Sequence, residues 1–214
     1  MQVQDIMDIY DSLRAQDPSS SFPDIWKVVR TRFLSIARDK KVGDVEQSWK
    51  STSGKAFEKI TIQIILSIVG QIDFAGEGIE AFSFYDLNPD RKKRLSNQFR
   101  RKCTDEIVEI SSEPDIVIYK NERPKVLVSC KSSLRDRINM DLFWSEMYRQ
   151  QGLIFTVVSG ETSKEIGSCE NPKKPRQLAE SIYDRLYIVN GDIDYCEVIR
   201  PFSDLEIDLR RWLL

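Results

Sequence analysis

The sequence contains no histidine among its 214 residues. That absence excludes Ser-His-Asp and Cys-His nucleophilic catalysis, histidine-ligated zinc, and hydrolysis that depends on a histidine base. Acid, base and metal-ligand roles therefore fall to Asp, Glu, Lys, Cys, Tyr or the backbone. Cysteine is sparse: Cys103, Cys130, Cys169 and Cys196 lie 27, 39 and 27 residues apart, which matches neither a CxxC knuckle nor a dense disulfide framework. Reduced thiols in an intracellular protein are the expectation. Long apolar runs are also missing. The most apolar stretch, 60–69, is interrupted by Thr61, Gln63 and Ser67 and is about half of the roughly twenty residues that a membrane span requires. The first residues, MQVQDIMDIYD, carry acids where a secretory leader carries bases. We expect a soluble, cytoplasmic protein with no membrane partner.

Net charge is small as well, with Lys+Arg 32 against Asp+Glu 34, and a pI near 5.5 argues against generic affinity for polyanions. What the chain does have is a 41% hydrophobic fraction, enough to bury one compact core, and one local imbalance. Residues 91–102, RKKRLSNQFRRK, hold seven Lys/Arg and no acid, a pattern that fits a solvated helix face or a phosphate-binding patch.

Periodicity predicts helices over 3–15 and 24–38, joined by DPSSSFP, and these form an N-terminal helical layer over about 1–45. The polar segment KKVGDVEQSWKSTSG then leads into a helix from about Lys55 to Val69, with Ser51, Thr52 or Ser53 as cap and Glu58 in the first turn. From Asp105 the pattern becomes extended. EIVEI, DIVIYK and KVLVSCK read as strands, the last two paired through a turn at NERP. Beyond them come a helix over 136–151, a strand at LIFTVV, a helix over 175–183, strands at RLYIVN and DYCEVI, and a helix over 204–214. Strands alternating with helices imply an α/β fold, a central sheet with helices on both faces. No repeat or linker divides the chain, so 1–214 is read as a single domain.

Pairing the two hairpin strands gives partners whose numbers sum to about 244–246, which brings Asp115 opposite Ser129 to Lys131. Ser129 and Lys131 share a face of the strand, and Val126 and Val128 occupy the other. A cross-strand salt bridge contributing about 0.2–1 kcal/mol is one use of such a carboxylate and ammonium.

The letters around these residues suggest another. EPDIVIY followed by VLVSCK resembles the core of the PD-(D/E)XK nucleases, in which an Asp on one strand and an acidic-x-Lys on the next bind divalent metal and orient water at a phosphate. Here Pro114-Asp115 supplies the first half and Lys131 the last, while Ser129 stands where the middle acid is usual. In one branch of the type II restriction endonucleases that acid moves to the following helix. By this resemblance Glu146, 15 residues after Lys131, is the displaced metal ligand beside Asp115, with Asp141 as the alternative. The resemblance implies a restriction-endonuclease-like core over 46–214, with a mixed central β-sheet flanked by helices.

The segment after the lysine, Lys131-Ser-Ser-Leu-Arg135-Asp136-Arg137, resembles the reading element of the branch that recognises CCGG, CCNGG or CCWGG. The chemistry is suitable, because an arginine fork bonds O6 and N7 of guanine and a carboxylate accepts from N4 of cytosine. A helix start with a capping acid and two solvated arginines is the plainer use of the same letters. Glu58 resembles an acid beside the metals on an early helix, and Gln47 resembles a glutamine that reads a neighbouring pair through the minor groove. Either also has an ordinary use, at a helix N-terminus or in solvent.

The family resemblance thus implies a type II restriction endonuclease that hydrolyses double-stranded DNA at a short G·C-rich palindrome, as a Mg²⁺-dependent homodimer in the form of a minimal catalytic unit, leaving 5′-phosphate and 3′-hydroxyl ends. Two alternatives remain: a junction-resolving or repair nuclease of the same fold, and a non-catalytic DNA-binding or interaction module. Trp26, Trp49 and Phe22 can stack on an extruded base, although aromatics at helical spacing usually form core.

Overall fold

The computed structural model describes residues 1–73, 76, 78–97, 101–103, 106–108, 113–134, 138–160, 163–191 and 193–214, of which 97, 101–103, 106–108, 139, 163 and 164 are described by backbone alone. Three helices come first. Helix α1 (Val3–Gln16) and α2 (Phe22–Asp39) follow the expected apolar spacing. In α2, Ser21 Oγ accepts from the Asp24 N–H, Pro23 occupies the first turn, and Ile25, Trp26, Val29, Phe33 and Ala37 are buried along one stripe.

Helix α3 (Val45–Ile72) is longer than the sequence suggested. It starts ten residues before Lys55 because Asp44, not Ser51, Thr52 or Ser53, is the cap: its Oδ1 accepts from the Gln47 N–H at 2.8 Å. The hydroxyls of Ser51 and Thr52 instead turn back onto the Ser48 carbonyl, at 3.0 and 2.7 Å, which is how mid-helix hydroxyls satisfy themselves without ending a helix. Gly54 sits inside the helix despite a propensity cost of about 1 kcal/mol.

The main sheet has six strands in the order β1-β4-β5-β6-β7-β8. Its strands are β1 (Ile79–Ser83), β4 (Ile116–Lys120), β5 (Arg123–Lys131), β6 (Ile154–Ser159), β7 (Arg185–Ile188) and β8 (Ile199–Pro201). Strands β1, β4 and β5 pair antiparallel, and β5 to β8 run parallel, so the sheet is mixed. The remaining strands, β2 (Arg101–Cys103) and β3 (Glu106–Val108), pair with each other. EIVEI therefore contributes to a separate ribbon and not to the central sheet. Strand β1, an edge strand of five residues with Glu80 at its second position, was not legible as a strand. DYCEVI is extended only at its end, where β8 begins at Ile199.

Helices cover both faces. Residues of α1, α2, α3 and the C-terminal α8 (Leu205–Leu213) share one core with Ile116, Ile118, Val126, Val128 and Cys130. On the opposite face Val117, Tyr119 and Leu127 pack with α4 (Pro89–Asn97), α5 (Ile138–Gln150) and α7 (Lys174–Ile182). A short α6 (Ser163–Ile166) follows β6. This alternation decides where Asp115 and Lys131 point. Counting in twos, Asp115 belongs with Val117 and Tyr119, and Lys131 with Ser129 and Leu127, so both lie on the α5 side of the sheet.

Candidate active site

The hairpin register places Asp115 as the sequence predicted. Ile116 pairs Val128, Val117 pairs Leu127 and Ile118 pairs Val126, a constant sum of 244, before a bulge shifts Tyr119 onto Pro124. The turn is tighter than NERP suggested, with only Asn121 and Glu122 outside the strands and both at positive φ, 50° and 63°, the backbone of a two-residue hairpin whose twist matches its strands. Asp115 stands one residue before β4. Its Oδ2 accepts from the Cys130 N–H at 2.5 Å and from Ser129 Oγ at 3.1 Å, and its carbonyl accepts from the Phe84 N–H at 3.0 Å. Ser129, where the customary acid is missing, thus serves to orient Asp115. No hydrogen bond to Oδ1 is found among the described residues.

Lys131 ends β5. Its carbonyl accepts from the Gly160 N–H at 2.9 Å, which ties it to the end of β6, and the residue lines a cleft of about 420 Å³ together with Lys50, Gly54, Lys55 and Glu58 of α3 and Ser132 beyond the strand. The ammonium makes no hydrogen bond or ion pair among the described residues, so Asp115 and Lys131 are not joined as a simple salt bridge. Cys130 reports how closely the charges converge. Burial pushes its thiol up, the carboxylates of Asp115 and Glu58 push it further, and Lys131 pulls it back. Tyr85 is raised in the same way, by desolvation first and then by Glu58, Asp115 and Glu113.

Glu58 is therefore near Asp115, although it stands on the helix that covers the other face of the sheet. The extended α3 changes its meaning: Glu58 lies well inside the helix, not in its first turn, and the helix dipole gives no reason for an acid there. Gly54, one turn earlier, lets α3 approach the end of β5; a Cβ there would stand 3.3 Å from Ser132 Oγ. A helix beginning at about Lys55 leaves Lys50 outside it and Lys55 at its frayed start, which hides both lysines. Read from Asp44, residues 50, 51, 54, 55 and 58 fall on one helical face. Gln47 is exposed in the first turn of α3 and lies outside this cleft.

The structure does not bring Glu146 to the cleft. Its side chain is 59% exposed and bonds along its own helix, to Arg149 at 3.5 Å and Gln150 at 3.1 Å. Its neighbours Ser145, Met147 and Tyr148 are the residues of that turn that face inward, at 4%, 6% and 2% exposure. Asp141 does face inward, and its Oδ2 accepts from the Tyr183 hydroxyl at 2.5 Å. Tyr148, raised by burial and then by Asp141 and Asp115, lies within the fields of both acids.

Arg135, Asp136 and Arg137 lie outside the described residues, as do parts of the run 91–102. The approach to the first three is described. Glu165 of α6 accepts from Ser133 Oγ at 2.9 and 3.1 Å and from the Leu134 N–H at 3.1 Å, and Leu134 is buried. Ser133 and Leu134, just beyond Lys131, are thus pinned by a carboxylate more than thirty residues away that no local pattern marks.

Among the described residues no group of three or more Cys, Asp or Glu side chains is arranged to hold a metal ion. Asp115 Oδ1, which accepts no hydrogen bond among the described residues, and the Glu58 carboxylate, which with Asp115 acts on the Cys130 thiol, are nevertheless hard oxygen donors. That set suits Mg²⁺, which keeps several waters and is commonly bound by one or two carboxylates together with a substrate phosphate. Trp26, Trp49 and Phe33 pack against one another in the helical core, Trp26–Trp49 tilted with centroids 5.7 Å apart and Phe33–Trp49 edge to face, so Trp26 and Trp49 serve as packing. No helix among the described residues is long and apolar enough to cross a membrane.

The structure resembles that of the specific restriction endonuclease AgeI in complex with DNA, with a TM-score of 0.63 and 17% identity over 98% of this chain and 84% of that one. It also aligns with the BsaWI restriction endonuclease in a pre-specific DNA complex, with a TM-score of 0.45 and 17% identity over 97% and 81% of the two chains. Among curated proteins no sequence match is found. The first likeness confirms a restriction-endonuclease-like fold, the mixed six-stranded sheet flanked by helices that the resemblance implied. The family model for the BsaWI restriction endonuclease type 2 matches residues 87–208, more than half of the sequence and inclusive of both hairpin strands, and the chain belongs to that family.

Proposed function

We propose that the protein is a type II restriction endonuclease that acts as a homodimer on double-stranded DNA and cuts both strands at a short G·C-rich palindrome with a CCGG-like core. The observation that carries this reading is the junction at the end of β5: Asp115 locked to the strand by Cys130 and Ser129, Lys131 at the mouth of a cleft with no counter-ion among the described residues, and Glu58 of α3 lining the same cleft. A palindrome has two-fold symmetry, and a symmetric dimer presents one such centre to each strand.

In this reading Asp115 and Glu58 hold Mg²⁺, which supplies charge neutralisation at the scissile phosphate and a more acidic bound water. Lys131 contributes a positive charge at the phosphate oxygens and hydrogen-bonds the attacking water, favouring its deprotonation and the developing negative charge. Lys50 and Lys55 draw the phosphodiester into the cleft. Gly160 and Glu165 hold the strand end and its exit, which keeps the ammonium and the reading segment at a fixed separation. Arg135 and Arg137 bond guanine and Asp136 accepts from cytosine in the major groove. Gln47, exposed at the start of α3, contacts a flanking pair, and the basic residues of 91–102 contact backbone phosphates. Asp141, buried and already bonded to Tyr183, supports α5. Glu146 remains a ligand only if α5 reorganises on DNA.

Digestion of a sequenced plasmid with Mg²⁺, followed by mapping of the ends, tests the proposal. Discrete fragments with 5′-phosphate termini at one repeated sequence are expected. Cleavage confined to branched or damaged DNA would instead indicate a structure-specific nuclease, and no cleavage with Mg²⁺ or Mn²⁺ would leave a binding module.

A further inference from the structure

At the far end of the same hairpin, away from the cleft, a second concavity of about 320 Å³ is lined by Arg91, Arg94, Tyr119, Glu122 and Arg123. Asp115 and Tyr119 are four residues apart on an extended strand, so its floor lies roughly 13 Å from Asp115. Arg91 is spent on the protein: it pairs with Glu80 at 2.7 Å and lies over the rings of Phe82 and Tyr119, 4.4 and 4.9 Å from their centroids. Arg94 and Arg123 are exposed and make no hydrogen bond or ion pair among the described residues. In the same concavity Tyr119 is 3% exposed, and its buried hydroxyl has no hydrogen-bond partner among the described residues. Arg91 and Arg94 both act on that hydroxyl electrostatically.

A phenol hydroxyl buried without a partner costs about 1–3 kcal/mol, and here its residue shares a concavity with two guanidinium forks that are unengaged among the described residues. These are the donors that a tetrahedral oxyanion takes, bidentate from arginine and single from a hydroxyl. We propose that this concavity is a phosphoryl-binding site in which the Tyr119 hydroxyl and the Arg94 and Arg123 guanidiniums hold one phosphate group, with the Glu122 carboxylate on the rim limiting its affinity. The phosphate is either a backbone group of the DNA some four base pairs from the cut, at about 3.4 Å per step, or a free phosphomonoester. The chemistry is common to both sources.

Titration of the metal-free protein with inorganic phosphate, followed by ³¹P line broadening and by thermal shift, tests the site without DNA or cleavage. Failure of the nuclease reading therefore leaves this result untouched. Saturable binding is expected, weakened about tenfold or more in Arg94→Gln/Arg123→Gln, as loss of two charge-assisted contacts requires. Weaker binding is also expected in Tyr119→Phe, and tighter binding in Glu122→Gln. Tyr119→Phe folds in any case, since the hydroxyl it removes bonds nothing.

A second arm measures the affinity of a duplex carrying single methylphosphonate substitutions across the flank of its cleavage site. A substitution that weakens binding to the wild type but not to the double-arginine variant assigns the site to DNA. Saturable phosphate binding with no sensitive flank position assigns it to a free phosphomonoester. Phosphate and duplex binding that are both indifferent to Arg94, Arg123 and Tyr119 would overturn the proposal.

Discussion

The backbone N–H of Cys130 donates to the Asp115 carboxylate at 2.5 Å, so the acid of one strand is held by the residue that immediately precedes Lys131 on the next. Neither group can shift without the other, and the separation on which phosphodiester chemistry depends is built into the hairpin register. Ser129 adds a second bond to the same oxygen. An acid at 129 would place a second carboxylate against Asp115, and the hydroxyl avoids that repulsion.

Glu58 and Glu146 make opposite predictions. Glu58→Gln should reduce single-turnover cleavage by about 10²-fold or more, the scale of losing a charged group at the reacting phosphate. Glu146→Gln should leave the rate within a few fold, because its bonds are to Arg149 and Gln150 on an exposed face. Rapid-quench rates on one cognate duplex decide the matter, and the reverse order would return Glu146 to the metal.

Gly54 should be restricted by the site and not by the helix. Gly54→Ala is expected to change stability by no more than about 1 kcal/mol, since the gain in helix propensity is offset by a Cβ 3.3 Å from Ser132 Oγ. Gly54→Leu should keep the fold, narrow the cleft and lower cleavage strongly. Thermal melts beside cleavage rates check both, and a fully active Leu variant would show that substrate does not enter between α3 and β5.

Arg135→Ala and Arg137→Ala should each cost about 1–3 kcal/mol of discrimination between cognate and singly altered sites. Competition binding with a panel of altered duplexes measures this. Equal losses on every sequence would mean phosphate contacts in place of base reading.

Stability should fall on the alkaline side. Burial pushes the Cys130 thiol up, with Asp115 and Glu58 adding to it. Tyr148, Tyr183 and Tyr187 are raised by burial and then by Asp141 or Asp208. The folded chain keeps protons that the unfolded chain releases, so stability declines as pH rises past the unfolded values, near 8.5 for cysteine and 10 for tyrosine, by about 1.4 kcal/mol per pH unit for each group titrating. Thermal midpoints flat from pH 8 to 11 would contradict this.

The hairpin was legible because its pattern is local: β-branched runs around a turn, with period two fixing which residues share a face. The site residues that come from elsewhere were not. Glu58 could be named by resemblance, but its environment depended on where α3 begins, and a polar, glycine-containing stretch disguised a helix capped by Asp44. Lys50 and Lys55 were hidden for the same reason. Glu165 reaches Ser133 and Leu134 across 32 and 31 residues, from a four-residue helix with no sequence signature. Strand β1 escaped because an edge strand needs only one buried face and carries Glu80 toward Arg91. For Glu146, the family resemblance points to α5, but a single residue's offset on a helix turns a side chain by about 100°, and this one lies on the exposed face of its helix.

Single-turnover cleavage by Lys131→Ala, measured on a cognate duplex beside metal-free binding of the same duplex, tests the central claim most directly. The account predicts binding within a few fold of the wild type and cleavage lower by about 10³-fold or more, as removal of the charge at the reacting phosphate demands. A Lys131→Ala protein that cuts at the wild-type rate would contradict it.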